Sequence, residues 1–387
     1  MDKKKWEQEN VLRLVKKSRK GVLRVVFSRF GLMALLLVLE LVLLWMMWRW
    51  FNNDFEWFAA VQGVFTVLMF FHLFNSDMDA TGKLTWMFLL AVIPIPASIF
   101  LWFTEKDVGH RTLKRMVQQR IDESRDLLHQ DPEVLRDPEI ESSGTDDLCR
   151  YLNRSGSFPL YANTETKFFP QGEDKFAALL EELQKAEKFI FLEYFIIDEG
   201  YMWGSILKIL ADKAAQGVDV RVLYDGMLEI STLPWDYPRR LEKLGIRCKA
   251  FAPIQPFLST HYNYRDHRKI LVIDGKVAFT GGVNLADEYI NRKERFGHWK
   301  DTAILLRGEA VWSMTVMFLS MWDYCSGWEE DFDLFRPESM PRLPGSGWVQ
   351  PYTDTPLDRE TVARLARQKA EGTPPVRQVI QKDTRVM

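Results

Sequence analysis

The chain has 387 residues, with 51 Lys and Arg against 53 Asp and Glu for a net charge of -2. That length allows two or three domains, and the near-even balance gives no sign of a nucleic-acid partner. The three cysteines, Cys149, Cys248 and Cys325, have no CxxC or Cys/His spacing, which excludes a disulfide framework or a zinc site and fits a reducing compartment.

Residues 1–30 form a basic flank of cytoplasmic type that leads straight into apolar sequence, as expected beside anionic lipid. Residues 31–104 read as a membrane anchor with two or three transmembrane helices, the candidates being 31–51, 57–74 and 84–103. Glu40 in the first would face another helix or stay buried as a neutral acid, and Pro94 and Pro96 would kink the third. Apolar length favours three spans. The basic residues beyond the third, Lys106, Arg111, Lys114, Arg115 and Arg120, favour two spans and a re-entrant segment. The expected location is the cell membrane, as a multi-pass protein. Residues 105–150, charged and punctuated by proline, read as a helix and a linker.

Residues 151–345 carry an α/β pattern. Phe176, Leu179, Leu180 and Leu183 have helical spacing, and "FIFLEYFII" follows as a buried strand. "SILKILADKAAQG" predicts a helix ending at Gly217, "VDVRVLYD" a strand, "RRLEKLG" a short helix and "IRCKAFAP" another strand. Helices alternating with strands predict a largely parallel sheet.

The chemistry concentrates in "NYRDHRKILVIDGKVAFTGGVN", Asn263 to Asn284. On a strand, residues i and i+2 share a face, so His267 and Lys269 present an imidazole and an ammonium to one pocket while Arg268 points away. The run "TGGVN" reads as a turn in which the Gly281 and Gly282 amides and the Asn284 side chain approach an anion. A nucleophile or base, a fixed positive charge and neutral donors together suit a phosphate diester. Asn263 and Arg265, at the head of the stretch, are further substrate-binding candidates. Glu193, at the end of a buried strand, either lines the pocket or pairs with Arg265.

This stretch resembles the HxKxxxxD plus GGxN signature of the phospholipase D superfamily. With "FIFLEYFIIDEG", "KAAQGVDVRVLYDGM" and "RFGHWKDTAILLRGEAV" it is similar specifically to bacterial cardiolipin synthases, over roughly residues 30 to 357. The resemblance implies N-terminal transmembrane helices followed by one half of a phospholipase D-like mixed sheet flanked by helices. It implies transfer of a phosphatidyl group from one phosphatidylglycerol to another with release of glycerol, without metal or cofactor. His267 would be the nucleophile that becomes phosphohistidine, Lys269 and Asn284 would hold the phosphoryl oxygens, and Asp301 would orient the imidazole. Asp274 reads as a structural partner of the strand and turn rather than a proton carrier.

Family enzymes carry the signature twice, and here it is found once. Residues 346–387 read as the start of a second half, "WVQPYTDTPLD", followed by a disordered tail over about 361–387, as though the reading frame ended early. Two copies forming a homodimer would then complete the site. The alternatives are a phospholipase D or nuclease that gives the intermediate to water, and an inactive remnant that binds anionic lipid.

Overall fold

The computed structural model describes residues 55–105 and 126–353, apart from short internal stretches of which 254–264 is the longest, together with isolated positions before 55 and between 105 and 126. Most of the expected first span, the whole basic flank and the tail from residue 354 lie outside the described residues, as does Asn263. Residues 55–105 and 126–353 belong to two separate compact units.

The first unit contains helices α1 (Phe55–Phe74), α2 (Ala80–Val92) and α3 (Pro94–Glu105). They enclose a small core of Leu73, Leu90, Ile93, Ala97 and Leu101. Lys83 reaches back to the Phe74 carbonyl at 2.8 Å and satisfies an orphan acceptor at the end of α1. The third expected span is two helices, because Pro94 has no amide to donate and restarts the helix as its first residue. With 13 and 12 residues, α2 and α3 rise only about 20 and 18 Å. Helix α1 has 20 residues but carries Glu56, Gln62 and His72. Among the described residues no helix is long and apolar enough to cross a membrane, so the expected two or three spans are not found there. Much of the unit's outer surface is nonetheless apolar, with Val61, Leu68, Phe71, Leu84 and Phe88 all exposed.

The second unit opens with the one-turn helix α4 (Pro132–Leu135) and α5 (Asp146–Gly156). The boundary expected at residue 150 falls inside α5. The presumed linker also packs on this unit: Leu128 is buried, and the Leu127 carbonyl accepts the Trp312 indole N–H at 3.0 Å. There follow β1 (Thr164–Phe169), α6 (Gly172–Lys185), β2 (Phe189–Tyr194), α7 (Tyr201–Ala215), β3 (Asp219–Asp225), α8 (Tyr237–Glu242) and β4 (Arg247–Phe251). The order then runs β5 (Lys269–Ile273), β6 (Val277–Gly281), a 3-10 turn (Asp287–Ile290), β7 (Ala303–Gly308), α9 (Val311–Ser326) and a 3-10 turn at Phe332–Phe335.

The strands form a seven-stranded sheet in the order β1-β7-β6-β5-β2-β3-β4. Only β2/β3 and β3/β4 pair in parallel, and the other four pairings are antiparallel. The sheet is mixed, which corrects the largely parallel expectation. The alternating stretch itself, β2 to β4, does pair in parallel, while the turn at Gly275 and the connection across residues 282–302 reverse the chain and make β5/β6 and β6/β7 antiparallel. One face packs against α6, α7 and α8 through Leu179, Leu183, Ile206, Leu210 and Leu241, and the other against α9 through Val316, Phe318 and Leu319. Burial on both faces explains why β2 and β5 are apolar almost throughout.

Several interior polar groups are matched. Arg221 of β3 lies between Phe191, Trp322 and Phe335 and makes a bidentate pair with Glu330, both bonds at 2.7 Å. Asp287 caps α7 from outside, accepting from the Tyr201 and Met202 amides at 2.9 and 2.7 Å. The segment after β7 returns to the unit through Tyr161 and Val349, which exchange two backbone bonds of 2.9 Å.

Asp274 stands in the tight β5–β6 turn with φ +52. Its carboxylate accepts from the amides of Glu187, Lys188 and Phe189 at 2.9, 2.8 and 2.8 Å, fixing where β2 begins. Asp274→Ala would leave those three donors without their acceptor. We expect it to lower unfolding stability by roughly 3 to 5 kcal/mol, read as a fall in the urea midpoint. A loss under about 1 kcal/mol would show that other groups define the start of β2.

Candidate active site

The site forms where β2 and β6 end and the antiparallel β5 begins. Lys269 is the first residue of β5 and stands opposite Tyr194, the last of β2. His267 precedes the strand, two residues before Lys269, as the motif spacing suggested. The Lys269 ammonium lies 3.0 and 3.1 Å from the two His267 ring nitrogens and 2.6 Å from the His267 carbonyl. Phe195, the residue after β2, supports both side chains, with its ring centroid 4.7 Å from the imidazole and 5.5 Å from Nζ.

Asn284 reaches the same junction from β6. Its Oδ1 accepts from the Ile196 amide at 3.0 Å and its Nδ2 donates to the Tyr289 hydroxyl at 2.8 Å. The Leu285 amide donates to the Ile196 carbonyl and the Asp198 amide to the Leu285 carbonyl, each at 3.0 Å, so residues 196–198 and 284–285 are zipped together. The histidine–lysine pair and the asparagine are thereby fixed on neighbouring segments, and the second Nδ2 hydrogen of Asn284 remains as a neutral donor.

The two glycines serve a different purpose from the one expected. The Gly282 amide donates to the Thr302 carbonyl at 2.9 Å, and so is not turned to an anion. A Cβ on Gly282 would collide with the Asp301 carboxylate, and one on Gly281 with Ala303 Cα at 2.6 Å. Their absence of side chains lets residues 301–303 close against the end of β6. Asp301 is placed by this contact, and its Oδ1 also accepts from the Thr302 amide at 2.8 Å.

Asp274 is at the far end of β5, about 16 Å along the strand from Lys269. Arg265 pairs with Asp225 at 3.4 Å, which corrects its expected pairing with Glu193. Glu193 instead meets Arg268, which points to the opposite face from Lys269 and also holds Asp266 at 3.0 Å. Burial pushes the Glu193 carboxyl well above the usual range, against a partial offset from Arg268. For Asp266, burial is outweighed by Arg268 and by hydrogen bonds from Glu193 and Arg268, and its pKa falls. Within this buried group behind the site, Glu193 therefore holds a proton more readily than Asp266 does.

The motif does not include Lys175. This side chain is wholly buried at the start of α6, donating to the Val283 carbonyl at 3.0 Å and the Tyr194 hydroxyl at 3.4 Å. Burial lowers its pKa from 10.5 to about 7, with Asp301 opposing and Lys269 reinforcing the shift. The signal was in the helical period: Lys175, Leu179 and Glu182 occupy one stripe of α6 and all three are buried.

Residues 179–322 match the family described as "Cardiolipin synthase, PLD-like domain", which makes this a phospholipase D-type chain. A Streptococcus mutans protein described only as uncharacterized is 51% identical over 75% of this chain and 63% of its own length. A cardiolipin synthase of Alkalihalophilus pseudofirmus is 34% identical over 78% of this chain and 61% of that protein. Among solved structures, the phospholipase D family member Nuc of Salmonella typhimurium is 15% identical, covering 42% of this chain and 94% of that one, with a TM-score of 0.33. The chain thus spans about three fifths of the length of these curated relatives. It belongs to the phospholipase D superfamily as a cardiolipin synthase-like protein.

Proposed function

We propose that this chain is a phosphatidyltransferase that condenses two phosphatidylglycerols to cardiolipin and glycerol through a phosphohistidine on His267. The observation that supports it is the His267–Lys269 pair, an imidazole and an ammonium 3.0 Å apart at the meeting point of three strands. A ring nitrogen of His267 attacks phosphorus, the bond from phosphorus to the glycerol oxygen breaks, and that oxygen takes a proton as glycerol leaves. The primary hydroxyl of the second lipid then attacks phosphorus, loses its proton and displaces the imidazole. Lys269 and the free Asn284 N–H hold the phosphoryl oxygens as charge develops on them. In this reading Asp301 orients the site through the residue 282–284 turn. A second His–Lys pair from another copy of the chain supplies and removes the protons, which makes a homodimer the active form. The exposed apolar face of α1 to α3 rests against lipid and keeps the protein at the membrane.

The acceptor separates this reading from hydrolysis. The full chain, incubated with phosphatidylglycerol vesicles, is expected to yield cardiolipin and glycerol in equal amounts by mass spectrometry. Phosphatidic acid and glycerol instead would make it a phospholipase D, and neither product from folded protein would refute both.

A further inference from the structure

Between the 3-10 turn and β7, residues 291–299 form a loop closed at its neck. The Asn291 side chain donates to the Trp299 carbonyl at 2.9 Å and accepts from the Trp299 amide at 2.6 Å. The same side chain is tied to α6 by a 2.7 Å bond to Glu173. The neck leans on the active site, since the Trp299 ring lies 4.8 Å from that of Tyr289, whose hydroxyl accepts from Asn284. At the tip, the Phe296 ring lies 6.3 Å from that of Trp299 and is 77% exposed.

One cation touches that ring, and others stand along the loop and just beyond it. Arg295 lies 5.2 Å from the Phe296 ring and is anchored to Glu288 at 2.9 Å, with over half its side chain exposed. Lys293, 60% exposed, is held 3.8 Å from Asp198. Arg292 stacks on the half-exposed Tyr201 at 3.5 Å, and Lys300 is exposed just beyond the neck. A rigid neck, one apolar tip and a cationic collar match a layer of anionic headgroups over hydrocarbon.

We infer that loop 291–299 is an interfacial anchor that inserts Phe296 into an anionic bilayer and sets its collar on the lipid phosphates. The inference rests on the lipid-substrate reading above. It adds how that substrate is reached: the anchor holds the His267 site at headgroup depth, so the phosphodiester is attacked while its acyl chains stay in the membrane.

The test places an environment-sensitive fluorophore on Phe296→Cys in the full chain carrying Cys149→Ser. A control carries it on Lys276→Cys, an exposed position in the turn at the opposite end of the sheet. Vesicles contain phosphatidylcholine alone or with phosphatidylglycerol. The label at 296 is expected to shift to the blue and brighten at least threefold with phosphatidylglycerol vesicles only, while that at 276 stays aqueous. An unchanged 296 label on protein that sediments with vesicles would overturn the inference. So would a blue shift before lipid is added, which would mean that another copy or segment covers the loop. Phe296→Ser is also expected to raise KM for vesicle phosphatidylglycerol about tenfold and to leave kcat for a short-chain, dispersed phosphatidylglycerol unchanged. Failure of the lipid reading would appear separately, as absence of product from protein whose 296 label still inserts.

Discussion

Alanine at position 267 is expected to lower phosphatidyl transfer about 10⁴-fold or more, the scale of losing the nucleophile of a covalent mechanism, while changing stability by less than about 1 kcal/mol. The two halves of the expectation come from different facts. His267 lies ahead of β5 and is only partly buried, touching Phe195 and Lys269, so its removal disturbs little packing. The chain's other His-x-Lys, His298 and Lys300, is not followed by the motif's aspartate, position 305 being Leu, so it is not expected to take over the attack on phosphorus. Lys269→Met should cost less than His267→Ala in rate and more in stability, because Lys269 is 5% exposed within the sheet and its head group satisfies the His267 carbonyl. Cardiolipin formation under initial-rate conditions and urea midpoints measured side by side check both. Activity of His267→Ala within tenfold of the parent would remove His267 from the nucleophile's role.

What was legible in the sequence was what local chemistry determines. The helical stripe of Phe176, Leu179 and Leu183, and the apolar strands at 189–194 and 219–225, are folded where their periods put them. The motif spacing placed His267 beside Lys269, because a two-residue offset at a strand mouth leaves little freedom. Pairing direction was not legible. Residues 269–273 would be equally apolar in a parallel or an antiparallel strand, since both faces are covered either way. Strand β1 was missed because "TETKFF" buries only its end residues and lies at the sheet edge. Partners across long sequence separations were also hidden. Nothing local says that Arg268 rather than Arg265 meets Glu193, because that choice is made by the register of β2 against β5. The glycines misled for a related reason: a GG pair signals close approach, but the approaching group is Asp301, twenty residues away, not an anion.

Lys175→Met is expected to stabilise the protein below neutral pH and to slow the reaction. Burial takes the Lys175 pKa from 10.5 to about 7, which at 1.36 kcal/mol per unit corresponds to roughly 5 kcal/mol favouring the unfolded state when both states are protonated. Below pH 7 both states carry the proton and the full cost is present. Between pH 7 and 10.5 the unfolded chain binds more protons than the folded one, so stability rises with pH across that window as the cost fades. Tyr194, which Lys175 touches, has its own pKa raised by burial and does not titrate there. Asp301 and Lys269 are the other charges facing the amine. Methionine removes the charge but gives up the bonds to Val283 and Tyr194, worth about 1 kcal/mol each, leaving a net gain of about 3 kcal/mol at pH 6 that should shrink toward zero or reverse by pH 10. The Val283 carbonyl then loses the tether that holds residues 282–284, so Asn284 is less well placed and kcat should fall about tenfold with KM little changed. A variant less stable than the parent at pH 6 as well as pH 10 would show that Lys175 contributes more through its two hydrogen bonds than its buried charge costs. A stabilised variant with an unchanged kcat would instead separate the buried amine from the chemistry, and leave the Ile196 amide and Tyr289 sufficient to hold Asn284.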